Sequence, residues 1–206
     1  MILSSEHKFI FAAIPKTGTH SVRRALRVHM GAQDLEQVGL FVKRSFPIPE
    51  LARIGHGHIS LAQVRPFMRP EDFASFFKFA FVRNPFDRFV SYSSFITRDV
   101  GHFDRDPQQV MRQFLANPPM NHILFRPQHE FVTDGDGELL TDFIGRVEQM
   151  QQSYDQICTR IGIPSAELEQ VNSSRRKDYR DYYDQDLIDG VAKLYARDLE
   201  LFGYEF

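Results

Sequence analysis

Three groups of residues in this chain have types and spacings that could do chemistry. The first is Pro15-Lys16-Thr17-Gly18-Thr19-His20-Ser21, placed between a short apolar run and an amphipathic stretch. A strand that turns tightly into a helix presents backbone N–H groups at the helix N-terminus, where they and the helix dipole favour an anion. Gly18 allows close backbone approach, Thr17, Thr19 and Ser21 add hydroxyls, and Lys16 adds a mobile full charge, so the loop suits a phosphate ester. The second group is Arg83 and Ser91, at the end of another apolar run and eight residues on. The third is the histidine pair His56 and His58 within Gly55-His56-Gly57-His58-Ile59-Ser60.

The first loop departs from the ATP-binding pattern G-x-x-x-x-G-K-[ST], in which lysine and a magnesium-holding hydroxyl follow the second glycine. Here Lys16 precedes Gly18, His20 follows Thr19, and no aspartate completes a metal site in the sequence pattern. The expectation is a phosphate or sulfate donor held without a metal. The histidine pair could also be ordinary loop residues or metal ligands.

These residues need a scaffold. Residues 8–14 and 76–82 are continuous apolar runs, read as buried parallel strands. Val22, Ala25, Leu26 and Met30 follow the loop at helical spacing, ending at Gly31. Asn84 is an expected N-cap, with Pro85 at the first helical position and Asp87 in the first turn, and Phe86, Phe89, Val90 and Ile96 form the expected buried stripe. Residues 52–60 read as a short strand running into a loop, 107–116 as a helix, 134–137 as a turn and 139–148 as a further strand. Met150, Tyr154, Ile157 and Ile161 then share a helix face that stops at Gly162, and a last helix starts near Asp184. Residues 32–52 read as irregular. Alternating strand, loop and helix predict an α/β fold around a central, mostly parallel sheet, in a single domain over 1–206.

With 206 residues, net charge -2, 42% hydrophobic and 25% charged residues, the chain fits a soluble globular domain and carries no global basic field for nucleic acid. Twenty phenylalanines without a tryptophan read as core filling. The lone Cys158 allows no intrachain disulfide and reads as a small core residue. No basic segment followed by a long apolar stretch opens the sequence, and no run approaches the ~18 apolar residues of a membrane span. A cytoplasmic protein without membrane insertion is expected. Nothing in the sequence speaks to oligomeric state.

The segments "PKTGT" and "VRNPFDRFVSYS", in that order and with Arg83 and Ser91 at that spacing, resemble sulfotransferases that use 3′-phosphoadenosine 5′-phosphosulfate. The resemblance continues in "DFIGRVE" and in the stretch from "YRDYYD" to "FGYEF", and is nearer to carbohydrate than to small-phenol enzymes. It implies a P-loop NTPase-like three-layer fold with the sheet flanked by helices. It implies that Lys16, Thr17, Gly18, Thr19, His20 and Ser21 hold the 5′-phosphosulfate and that Arg83 and Ser91 hold the 3′-phosphate. "GHGHIS" resembles the His-Gly-His stretch of uronyl 2-O-sulfotransferases, which makes His58 the expected catalytic base and His56 a second site histidine, with Lys16 stabilising charge on the leaving oxygen. The implied reaction moves a sulfuryl group in line to a hydroxyl-bearing acceptor, a carbohydrate or glycosylated small molecule, and leaves 3′,5′-ADP; a lipid-linked sugar, a small metabolite and a peptide tyrosine stay open as acceptors. Residues 32–52 and 98–130 are the expected acceptor cleft. His20, His56 and Glu148 are alternative bases. Arg175, Arg176 and Lys177 could close over the nucleotide or form a solvated turn, and Gln128-His129-Glu130 could touch an acceptor. Two other readings stay open: a P-loop nucleotide or small-molecule kinase, and a non-catalytic nucleotide-binding relative.

Overall fold

A computed structural model describes residues 1–39, 42–169 and 177–206. Among these, the strands are β1 (Ile2–Ser4), β2 (Phe9–Ala12), β3 (Leu35–Glu36), β4 (Phe77–Val82) and β5 (Phe143–Arg146). The α-helices are α1 (Thr19–Arg27), α2 (Pro49–Ala52), α3 (Leu61–Val64), α4 (Pro70–Ser75), α5 (Pro85–Thr97), α6 (His102–Arg105), α7 (Pro107–Ala116), α8 (Met150–Ile161), α9 (Gln185–Leu194) and α10 (Ala196–Phe202). The chain divides into two compact units, Met1–Val82 with Glu130–Val171, and Arg83–His129 with Asn172–Phe206.

The first unit contains the whole sheet, an open five-stranded arrangement in the order β3-β1-β2-β4-β5. β2, β4 and β5 run parallel, and β1 lies antiparallel to both β2 and β3. The parallel centre matches the sequence reading. The antiparallel side does not appear in it, because three- and two-residue strands are too short to show a period.

β2 and β4 are buried on both faces. Phe9, Phe11, Phe79 and Phe81 pack with Val22 and Leu26 of α1 and Tyr154, Ile157, Cys158 and Ile161 of α8. Phe11 and Phe79 stack with centroids 5.2 Å apart and an interplanar angle of 18°. Ile10, Ala12, Ala80 and Val82 are buried from the other side, which is why both runs read as continuous apolar segments. Cys158 is the expected core thiol, and burial pushes its pKa up.

Ala12 pairs with Ala80 across the parallel β2–β4 ladder, so both strands finish at the same sheet edge. β2 runs there into the 13–18 loop, and Arg83 is the residue that follows β4 in the chain. In open parallel sheets this C-terminal edge is where ligand-binding turns collect.

The second unit is built on α5, α7 and α9, around Phe86, Phe89, Tyr92, Met111, Phe125, Leu187 and Val191. Asn84 caps α5 as expected, its side chain accepting from the Phe86 N–H at 3.0 Å. Asp106 and Asp184 cap α7 and α9 likewise. The expected stripe on α5 is corrected at Ile96, 38% exposed near the helix end. The single final helix is two, α9 and α10, separated at Tyr195, whose hydroxyl donates to the Phe125 carbonyl.

Residues 52–60 form no strand. α2 ends at Ala52, Gly55 has φ 73°, and the run continues as irregular backbone. Its carbonyls are taken by side chains instead of a ladder: Gln37 Nε2 donates to the His56 carbonyl at 3.0 Å and Arg23 Nη2 to the Gly57 carbonyl at 2.8 Å.

Candidate functional site

The loop after β2 is held from inside. Thr17 is fully buried, and its hydroxyl donates to the Ile14 carbonyl at 3.0 Å, closing the turn on itself. The Thr17 side chain is therefore a structural brace. Lys16 has φ 66°, a left-handed conformation that a lysine adopts only under constraint from its surroundings. Gly18 caps α1 at φ 69°. A Cβ on Gly18 would lie 2.3 Å from Met150 Cε, the movable end of a flexible side chain, so it is the left-handed backbone conformation that calls for glycine here. Thr19 and Ser21 are buried in the first turn, and the Ser21 N–H bonds to the Gly18 carbonyl at 3.1 Å.

The electrostatics of this turn suit an anion. No acidic residue lies in the first turn of α1. The His20 pKa is lowered first by burial and then by the positive charges of Arg23, Lys16 and Arg27. Burial by itself disfavours any charge there; it is the cations of Arg23, Lys16 and Arg27 around the turn that favour a negative one.

The His-Gly-His stretch lies against the same loop. His58 Nδ1 is 2.7 Å from the Ala13 carbonyl, one residue past β2. A carbonyl can only accept, so Nδ1 carries the proton and the neutral ring keeps a lone pair on Nε2. That tautomer is the one a general base needs. The His58 N–H donates to His56 Nδ1 at 3.2 Å, and the two rings sit 5.8 Å apart. His58 departs from the ordinary imidazole pKa of 6.5. Burial lowers it to about 3, aided by the charges of the Met1 amine, Arg23 and His56 and opposed by the bond to Ala13.

Two residues that the sequence did not single out hold this assembly. Arg23, on α1 and 2% exposed, donates to the Gln37 carbonyl at 3.0 Å, the Gly57 carbonyl at 2.8 Å and Glu36 Oε1 at 3.2 Å. It ties the helix that follows the 13–18 loop to the glycine between the two histidines. Glu36 also receives Arg27 and Arg44. Burial acts to raise the Glu36 carboxyl, but the arginine hydrogen bonds and charges outweigh it and hold the pKa below the usual range. A Cβ on Gly57 would sit 2.3 Å from the Gln37 carbonyl oxygen, so this residue is glycine because two backbones meet there. Only the amphipathic rhythm of "SVRRAL" hinted that one of its two arginines faces inward.

In the second unit, Arg83 pairs with Asp87 one turn into α5, Nε to Oδ2 at 2.7 Å and Nη2 to Oδ2 at 2.7 Å. Ser91 follows Asp87 by four residues on the same helix face and is buried. Gln128 is fully buried. Its side chain accepts from the Arg83 N–H at 2.9 Å and donates to the Arg83 carbonyl at 2.9 Å, so its amide is spent on the chain and not on an acceptor. Arg88 is not a surface charge. It is 1% exposed and donates to the Leu124 and Arg126 carbonyls. Glu148 and Lys177 are exposed, and Arg175 and Arg176 lie outside the described residues.

A model of the sulfotransferase family matches residues 1–205. The chain belongs to the sulfotransferase family. No curated protein and no solved structure matches it. Membership makes the chain a transferase. Among the described residues, no helix of this sulfotransferase is long and apolar enough to cross a membrane.

Proposed function

We propose that this sulfotransferase moves a sulfuryl group from 3′-phosphoadenosine 5′-phosphosulfate to a hydroxyl of a carbohydrate or glycosylated small molecule, with His58 as the base, in one P-loop-like three-layer domain over 1–206. The observation that carries the reading is the 2.7 Å bond from His58 to Ala13. It puts a tautomer-locked imidazole beside a loop that suits an anion.

The chain's residues fit such a donor. The cation-ringed first turn of α1, its left-handed Gly18 and the absence of acidic side chains there favour a phosphosulfate. Lys16, Gly18, Thr19, His20 and Ser21 would hold it, with Thr17 as the internal brace, and Arg83 and Ser91 would hold the 3′-phosphate. When bound, the donor supplies an activated sulfuryl group on a phosphate leaving group.

The remaining work falls to the protein. Lys16 stabilises negative charge on the leaving oxygen, a contribution that grows toward the transition state. His58 Nε2 takes the acceptor's proton while Nδ1–H stays on Ala13. In the free chain His58 is a weak base, and negative charge held in the adjacent loop raises its proton affinity. His56 orients the stretch through its Nδ1. A cytoplasmic setting agrees with a lone, buried Cys158.

The test is calorimetric titration with 3′,5′-ADP in EDTA. Binding without a divalent ion, and more tightly than 5′-AMP, is the expected result. A requirement for Mg-ATP would favour a kinase and overturn the reading.

A further inference from the structure

We propose that Gln128, anchored by Asp198, is a positioning residue for Arg83 and sets this sulfotransferase's preference for a 3′-phosphorylated nucleotide; this rests on the reading of Arg83 as the 3′-phosphate ligand.

Gln128 has no apolar reason to be where it is. Its side chain is fully buried, and a primary amide placed there is costly unless its oxygen and nitrogen are both satisfied. Both go to one residue: Oε1 accepts from the Arg83 N–H and Nε2 donates to the Arg83 carbonyl, each at 2.9 Å. This is the two-bond pairing a neighbouring strand would make, delivered by a side chain where β4 has ended at Val82. Asp87 holds the guanidinium end of the same arginine. Arg83 is thus fixed at backbone and side chain.

The anchor of Gln128 is equally buried. Asp198, in the first turn of α10, is 0% exposed. It accepts from the Gln128 N–H at 2.7 Å, the His129 N–H at 2.9 Å and His129 Nδ1 at 2.7 Å. A buried carboxylate needs such donors, and here three converge on the turn that carries Gln128. The order is Asp198 to Gln128 backbone, then Gln128 side chain to Arg83 backbone. Supporting shells of this kind hold a charged ligand-binding group within the small tolerance that recognition demands. A long arginine on an unsupported loop would spread its charge over many orientations and discriminate poorly between nucleotides that differ by one phosphate.

The experiment compares the full-length wild type with Gln128→Met and Arg83→Ala, measuring calorimetric Kd for 3′,5′-ADP and for 5′-AMP. Gln128→Met keeps the side-chain length and removes both bonds. The expected result is a fall of about tenfold in the preference for 3′,5′-ADP, with 5′-AMP affinity within about twofold of wild type. Arg83→Ala should abolish the same preference. A purely structural role would lower the melting temperature, or both affinities together, and leave the ratio alone; that outcome overturns the proposal. If Arg83→Ala leaves the ratio unchanged, the assignment of Arg83 fails and this inference with it. If only Gln128→Met leaves it unchanged, Arg83 stands and the positioning role falls. Should Gln128→Met not fold by circular dichroism, Gln128→Glu, which keeps the acceptor for the Arg83 N–H, is read the same way.

Discussion

Acidifying the free protein from pH 7.5 to 5 should leave the His58 ring neutral and cost the fold stability. The ring lies beside Arg23, His56 and the Met1 amine, is largely removed from water, and has its pKa lowered to about 3 from 6.5. In the unfolded chain the same ring titrates at ~6.5, so below that pH the unfolded state binds a proton that the folded state refuses. Stability from His58 is therefore complete above pH 6.5 and is lost as pH falls toward 3. The slope is about 1.4 kcal/mol per pH unit, or about 2 kcal/mol between pH 6.5 and 5. Burial and neighbouring cations lower His20 as well, so it contributes in the same direction.

The assay has two arms. Histidine-ring NMR, with the His58 signal assigned by its loss in His58→Gln, should show no His58 titration between pH 8 and 5. Urea unfolding of wild type and His58→Gln at pH 7.5 and pH 5 should give the wild type the larger loss, by about 2 kcal/mol. A His58 ring that titrates near 6.5 would refute the reasoning, because about nine-tenths of it would then be charged at pH 5.5.

Gly18→Ala should cost donor affinity and on the order of 1–3 kcal/mol of stability, since φ 69° is strained for alanine and Met150 Cε would lie 2.3 Å from the new methyl; urea unfolding and 3′,5′-ADP calorimetry check both. Arg23→Met should destabilise by about 1–3 kcal/mol, because it removes the Arg23 donors to the Gly57 and Gln37 carbonyls and one partner of the buried Glu36, which keeps Arg27 and Arg44. Turnover should fall further than nucleotide affinity in that variant, because Gly57 separates the two histidines.

What could be read in advance follows from which interactions are local. The β2 and β4 runs, the Asn84-Pro85 start of α5, α7 over 107–116 and the Gly162 stop of α8 are set by residues close in sequence, and the structure reproduces them. The loop's glycine and lysine were legible for the same reason. Residues 52–60 were not, because what shapes them is distant: Arg23 and Gln37 take carbonyls that a strand would have paired. The burial of Arg88 and Gln128 was not legible, because a buried polar residue looks like a surface one until its partner on another segment is known. The surroundings of His58 were not legible either. The depression of its pKa comes from burial beside Ala13, 45 residues back in the chain.

The most direct test of the central claim is sulfuryl transfer itself. Purified protein in EDTA, given 35S-labelled 3′-phosphoadenosine 5′-phosphosulfate and a panel of uronic-acid-containing and other sugars, should move label to at least one acceptor and release 3′,5′-ADP in equal amount. His58→Ala should reduce that transfer about 10²–10⁴-fold while 3′,5′-ADP still binds. Undiminished transfer by His58→Ala would contradict the account.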